Sequence, residues 1–311
     1  MKANDSKAAY TTGPIGKTML MTAFSMLAGT LAMSGYNIAD TYFVGQLGKI
    51  PLAAMGFTFP VIMLIGCVFR GLGVGVMTNA AQALGSGNNA KAGKLITSGL
   101  LLIFLVSLFF AVAGILCIES TFALFGANAE VMPDIRAYMT TWYLGCCTAS
   151  LGMAGNDLLI AAGDSKIASF MMMCGMVLNV IFDPLFIMGF GPIPAMGIKG
   201  AAIATVLSQL VSALVVLLFL GRRHGLIRIA PMPLTILRTT WAVIIRYAVP
   251  STIGMLMMPL GSAVVTKITA YFGNTAVAAS AAAGRLEMIA FIFPMPLGIA
   301  LLPMTGQNYG A

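Results

Sequence analysis

Tyr36-Asn37-Ile38-Ala39-Asp40-Thr41-Tyr42-Phe43-Val44-Gly45 is the stretch on which the reading of this chain turns. It closes the first long apolar segment, and it places the Asp40 carboxyl where an acid is expensive. A carboxylate at the centre of a bilayer costs roughly 2.5–3.5 kcal/mol on insertion scales. The sequence accepts that cost again at Asp183, with Asn179 one helical turn before it. Asn179 and Asp183 are four residues apart, as are Tyr36 and Asp40, so each pair shares one face of a helix. The expectation is a polar pocket inside a bundle of membrane helices, built from both pairs.

Composition agrees. Hydrophobic residues make up 59% of the 311 and charged residues 8%, against about 25% charged in a soluble domain. The net charge of +8 does not form one nucleic-acid-binding patch. The basic residues fall mostly in short loops between apolar runs, where they set the orientation of a membrane protein. The polar stretch before the first run is short, and the run is too long for a cleaved leader, so it is read as a retained span. Five cysteines all lie in apolar segments without a CxxC pair, which suits buried packing and not metal binding.

A helix needs about 20 apolar residues to cross the hydrocarbon. Eight segments qualify, at roughly 17–44, 52–78, 95–118, 137–162, 167–190, 200–220, 241–271 and 276–303, with boundaries good to about 2–4 residues. The fold class expected is therefore an all-α polytopic bundle. Lys2, Lys7, Lys17, Lys91, Lys94, Lys166, Arg222, Arg223, Arg228 and Arg238 collect on one side, while only Lys49, Arg136 and Lys199 fall on the other. That imbalance predicts a cytoplasmic N-terminus in the inner (plasma) membrane. Spans one and five then rise outward and six descends, which brings Asp40, Asp183 and Thr205 to one outer layer.

An internal repeat appears at an offset of 225 residues. Gly48 pairs with Gly273, Gly73 with Gly298, Gln82 with Gln307 and Gly85 with Gly310. Six spans separate equivalent positions, an even number, so the repeats are parallel. This predicts an N-terminal six-helix lobe over 1–223, a basic cytoplasmic linker over 224–240, and the first two helices of a C-terminal lobe over 241–311. A second lobe that stops after two spans suggests a truncated chain, from which no transport is expected alone.

The run 36–45, Asn-Val-Ile-Phe-Asp-Pro at 179–184, Gly-Ala-Ala-Ile-Ala-Thr at 200–205 and the closing Gly-Gln-Asn-Tyr-Gly-Ala resemble the multidrug and toxic compound extrusion (MATE) family over the whole chain. The resemblance implies two facing six-helix lobes and antiport of organic cations against H⁺ or Na⁺. It also implies that Tyr36, Asp40, Asn179, Asp183 and Thr205 surround the coupling ion. Some members carry an acid early in span seven. The matching place here, around Met258, is apolar, which favours coupling through the first lobe.

The residues themselves support that site. Two nearby carboxyls cannot both stay charged cheaply, and the oxygens of Asp40, Asp183, Asn179 and Thr205 suit a proton or a hard cation such as Na⁺. The competing reading is that each acid caps a broken helix or bonds hydroxyls on neighbouring helices. Pro184 lacks an N–H, which frees the Val180 carbonyl. Asn156 and Glu287 are candidate substrate or cation contacts, and several of the 24 methionines suit an adaptable cavity. Gly71, Gly73 and Gly75 read as close helix packing, and His224 as a solvated or headgroup-facing residue. Gly93-Lys94 is not a phosphate loop, since Leu95 follows where Ser or Thr is needed. With one histidine and no thiol cluster, no enzyme chemistry and no cofactor are expected. Expected partners are small organic cations and lipids, with no nucleic acid, and the chain is expected to be monomeric. A flippase for lipid-linked oligosaccharides shares the two-lobe plan, but it calls for several cavity cations, and only Arg70, Lys267 and Arg285 offer themselves.

Overall fold

The computed structural model describes residues 9–227, 232–273, 276, 279–280, 283, 290, 292 and 294–311. The described residues form eight α-helices. These are α1 (Ile15–Gly45), α2 (Lys49–Gly85), α3 (Asn89–Leu124), α4 (Met132–Ala161), α5 (Ser165–Ile187), α6 (Ile198–Leu218), α7 (Leu234–Ala270) and α8 (Pro294–Gly310). The first seven are long and apolar enough to cross a membrane. Of the eighth expected span, 276–303, twelve residues before Pro294 lie outside the described residues, and its last ten belong to α8.

Most helices outrun the apolar segments that forecast them. α3 has 36 residues and begins at Asn89, six before the expected start. The Asn88 side chain caps it by accepting from the Lys91 amide at 2.9 Å, and the first turn carries Lys91 and Lys94 beyond the apolar run. Tight turns permit this economy. Gly163 closes the α4–α5 turn at φ +91°, and a side chain there would also strike Ala9. α5 continues through Pro184 to Ile187, so Asp183 sits inside a continuous helix and does not cap a broken one. α6 ends in one π-wound turn, Phe219–Arg223.

α1 packs along α5, α4 along α6, and α3 against α2 and α4, while α7 lies on α2 and α8 on α1 and α2. Two apolar cores fill the bundle. One gathers Val76, Ile96, Ile103, Leu158 and Leu220; the other gathers Phe69, Phe122, Ile135, Met139 and Cys146. Large apolar side chains such as Phe24, Leu116, Leu124 and Leu144 face outward, as a lipid-facing surface requires.

The 225-residue repeat is visible in the backbone. Gly48 and Gly273 both take a left-handed conformation, at φ +118° and +94°. At the seam between α2 and α8 the contact is reciprocal. A side chain at Gly85 would run into the Gln307 carbonyl, and one at Gly310 into the Gln82 carbonyl. Ala81 meets its own repeat mate, Gly306, whose missing side chain would lie 2.8 Å from the Ala81 Cβ. Such exchange of equivalent contacts is the mark of a two-fold relation. The three glycines Gly71, Gly73 and Gly75 do serve close packing. Gly71 and Gly75 admit Thr252 and Ile244 of α7, and Gly73 admits Asp157 of α4.

The end of the bundle that holds this seam is tied by the N-terminal segment. Tyr10 is 5% exposed. Its amide donates to Gln307 Oε1 at 2.9 Å and its hydroxyl to the Ile160 carbonyl at 2.8 Å. Gln307 Nε2 donates to the Ala161 carbonyl at 2.7 Å, and Asn308 Nδ2 to the Tyr10 carbonyl at 3.0 Å. One segment thus joins the ends of α4 and α8. Burial pushes the Tyr10 phenol up to about 12, so it remains a donor at neutral pH. Nearby, His224 is not solvated as expected. Its Nε2 meets Asp164 Oδ2 at 2.7 Å and its side chain is only 13% exposed.

Candidate functional site

α1 and α5 lie side by side, and each presents its polar pair inward from the same end of the bundle, the end remote from Tyr10. Asp40 is 4% exposed, Thr205 of α6 is 2% exposed, and Asn179 and Asp183 are fully buried. Asn179 Nδ2 donates to Asp183 Oδ1 at 3.2 Å. The Tyr36 hydroxyl and Thr205 Oγ1 are 2.9 Å apart, which ties α1 to α6. The two carboxyl groups lie within electrostatic range of each other. All five residues expected at the ion site, Tyr36, Asp40, Asn179, Asp183 and Thr205, therefore converge.

What the cluster leaves undone is informative. Asp40 Oδ1, Asn179 Oδ1 and Asp183 Oδ2 are buried without a hydrogen-bond partner. Buried acceptors of this kind are rare in native structures and costly. Three in one place form a site that lacks positive charge or donors, which is what a proton or a small cation supplies. One member was not legible in the sequence. Tyr138 of α4 is buried within electrostatic range of Asp40, Tyr36 and Asp183. Nothing in its spacing relates it to α1 or α5, since only the packing of α4 brings it there.

Asn156 and Asp157 do not join the cluster. With Arg70 they line a separate cavity of about 170 Å³ between α1, α2, α4, α5 and α6. Its walls include Met26, Met33, Met153, Met171, Met172 and Met176, and its polar edge includes Gln209 and Ser212. Asn156, expected as a substrate or cation contact, thus lines the cavity and not the cluster. Tyr36 lines this cavity too, so one residue belongs to both sites. Glu287 and Arg285 lie outside the described residues. Among the described residues, no three His, Cys, Asp or Glu side chains gather as a metal centre.

Helices, seam and cluster define a class, the multi-pass helical membrane proteins, and comparison with known proteins gives the family. The MatE family model matches residues 25–185 and 250–311, and the chain belongs to that family. It is 37% identical over 298 residues to the FAD transporter of Shewanella oneidensis, covering 96% of this chain and 66% of that protein. It is 24% identical over 307 residues to the multidrug export protein MepA of Staphylococcus aureus, covering 96% and 65%. The chain thus spans about two thirds of the length of these relatives. Among solved structures it superposes with a TM-score of 0.87 on a MOP superfamily transporter from Pyrococcus furiosus whose binding pocket has reverse polarity, at 27% identity, covering 100% and 68%. A mutant of the Vibrio cholerae MATE transporter VcmN also gives 0.87, at 28% identity, covering 99% and 67%.

Proposed function

We propose that the protein is a secondary active exporter, exchanging amphipathic organic molecules for H⁺ or Na⁺ bound among Asp40, Asn179 and Asp183. The observation that carries this reading is the trio of buried acceptors without partners, beside a methionine-walled cavity. Tyr36 links the two. Its hydroxyl bonds Thr205 in the ion cluster, and its side chain lines the cavity, so occupancy of one site alters the wall of the other. Ion binding and substrate binding are then alternatives, so ion uptake accompanies substrate release, as antiport requires. In this reading the Tyr10 end faces the cytoplasm, the membrane is the inner one, and no covalent chemistry is involved.

Two observations bear on the substrate. The multidrug exporter MepA among the relatives supports organic cations, and the methionine walls suit varied shapes. The relative at 37% identity transports FAD, and the cavity holds Arg70, which favours a phosphate-bearing flavin as the second reading. An oligosaccharide-lipid flippase would call for several cations, and Arg70 is the one basic side chain lining the cavity among the described residues.

The test is efflux from vesicles carrying the full-length protein, with proton and Na⁺ gradients imposed separately. Asp40→Asn should abolish gradient-driven efflux of ethidium or FAD. Undiminished efflux would remove the ion site from the mechanism.

A further inference from the structure

Arg70 is the side chain that the ion-site account leaves unused. It lies well inside α2, 21 residues past its first residue, Lys49, in a segment apolar enough to span a membrane. Charged residues at such depth face a cavity or a partner and are functional by default. Arg70 faces the cavity, and among the described residues it makes no ion pair. A guanidinium has five donors and no way to shed its charge. Left unpaired in a half-buried cavity, it is a site prepared for an anion.

Asp157 of α4 stands beside Arg70 without pairing with it. Gly73 is three residues from Arg70, on the same face of α2. Because Gly73 has no side chain, Asp157 Oδ2 approaches to 3.2 Å from the position a Cβ would take. Asp157 is thereby held against α2 beside Arg70, close enough to be felt electrostatically, without forming an ion pair. The other polar groups complete a ligand set. The Asn156 Oδ1 is buried and unpartnered, and so looks for a donor. Gln209 and Ser212 supply donors of their own. Methionines form the remaining wall, soft enough for an aromatic ring.

Resting on the export reading above, we propose that Arg70 is the specificity anchor of the cavity. It binds the phosphate of an amphipathic substrate whose apolar body lies on the methionines, while Asp157 stands beside it as a competing negative charge. A guanidinium fork matches phosphate oxygens two at a time, which an ammonium or a lone hydroxyl does not. Asn156 then accepts from an N–H or O–H on the substrate body. The polarity is opposite to that needed for a simple cation site. Binding and export separate cleanly, because the cavity requires no gradient to bind.

The test is equilibrium binding to the purified protein in detergent, read by fluorescence anisotropy, using FMN, riboflavin and ethidium. FMN and riboflavin share one ring system and differ by the phosphate. Wild type should bind FMN at least tenfold more tightly than riboflavin. Arg70→Gln should abolish that difference and leave riboflavin unchanged, and Arg70→Lys should restore part of it. Asp157→Asn should tighten FMN binding, since it removes the competing anion. This arm reads in the opposite direction from a loss of folding, which a thermal melt monitors in parallel. Dihexanoyl phosphatidic acid as a competitor separates a lipid phosphate from an aromatic one; displacement or its absence identifies the source without altering the role of Arg70. Equal FMN and riboflavin affinity in the wild type, unchanged FMN affinity in Arg70→Gln, or equal losses of FMN and riboflavin would each overturn the proposal. Absent gradient-driven efflux with intact Arg70-dependent binding would overturn the export reading alone.

Discussion

The Tyr36 hydroxyl stands 2.9 Å from Thr205 Oγ1, joining α1 to α6 at the edge of a cluster that is otherwise short of donors. The bond makes a prediction about pairs. Tyr36→Phe alone leaves the buried Thr205 hydroxyl with less to bond, and should cost about 1 kcal/mol of stability. Thr205→Val should cost a similar amount. The double variant should cost less than the two together, because neither side is then orphaned. Thermal melts of the three variants in one detergent give the coupling. Strict additivity would mean the bond contributes nothing.

Asn179 holds the Asp183 carboxyl through a 3.2 Å bond. Asn179→Leu keeps the approximate volume and removes the donor. It also removes the unpartnered Asn179 Oδ1, so it should raise the Na⁺ concentration for half-maximal efflux by on the order of tenfold, in keeping with about 1.5–3 kcal/mol for a polar contact to a charged group. Substrate affinity measured without an ion gradient should stay unchanged. An unaltered ion dependence would leave Asn179 a packing residue.

The reciprocal seam predicts matched effects. Gly85→Val and Gly310→Val each push a side chain into the opposite backbone, and each should destabilise by about 1–3 kcal/mol. Gly56, also on α2, has open space where its side chain would be, so Gly56→Val should be close to neutral. A melt in which only one of the seam variants suffers would refute the two-fold relation.

Gln307 is 1% exposed and bonds both the Tyr10 amide and the Ala161 carbonyl. Gln307→Ala strands both groups. Hydrogen exchange should quicken at Tyr10 and at the end of α4, while α5 around Asn179 is unaffected. Exchange that is unchanged at Tyr10 would show that the N-terminal segment is held by other means.

Much of this was legible in the sequence, and the limits have physical causes. Apolar length located seven helices, and the spacing of four within 36–40 and 179–183 fixed which side chains share a face. Depth along rising and descending spans then brought Asp40, Asp183 and Thr205 to one level. Spacing says nothing of which helices are neighbours, so neither Tyr138 nor Asp157 could be placed from it. The true partner of Asp157 is an absence, the side chain Gly73 lacks. The Tyr10 ties were hidden for another reason. They use backbone groups of Tyr10, Ile160 and Ala161, which carry no residue signature. His224 was misjudged because its acid, Asp164, is 60 residues away in the chain.

The seam between α2 and α8 sits at one extremity of the bundle, with Ala81 against Gly306 on its axis. From the first residue of α1 to Asp40 is 25 residues, or about 37 Å at 1.5 Å per residue. The α7 contacts at Gly71 and Gly75 fall in the same half of α2 as the seam, so the arrangement is a long lever held from one end. By that geometry a tilt of about 10° at the seam, scarcely more than a repacking of glycines, sweeps the far end of α1 through roughly 6 Å. Large travel at the carboxyl end therefore asks for little disturbance where the two repeats touch.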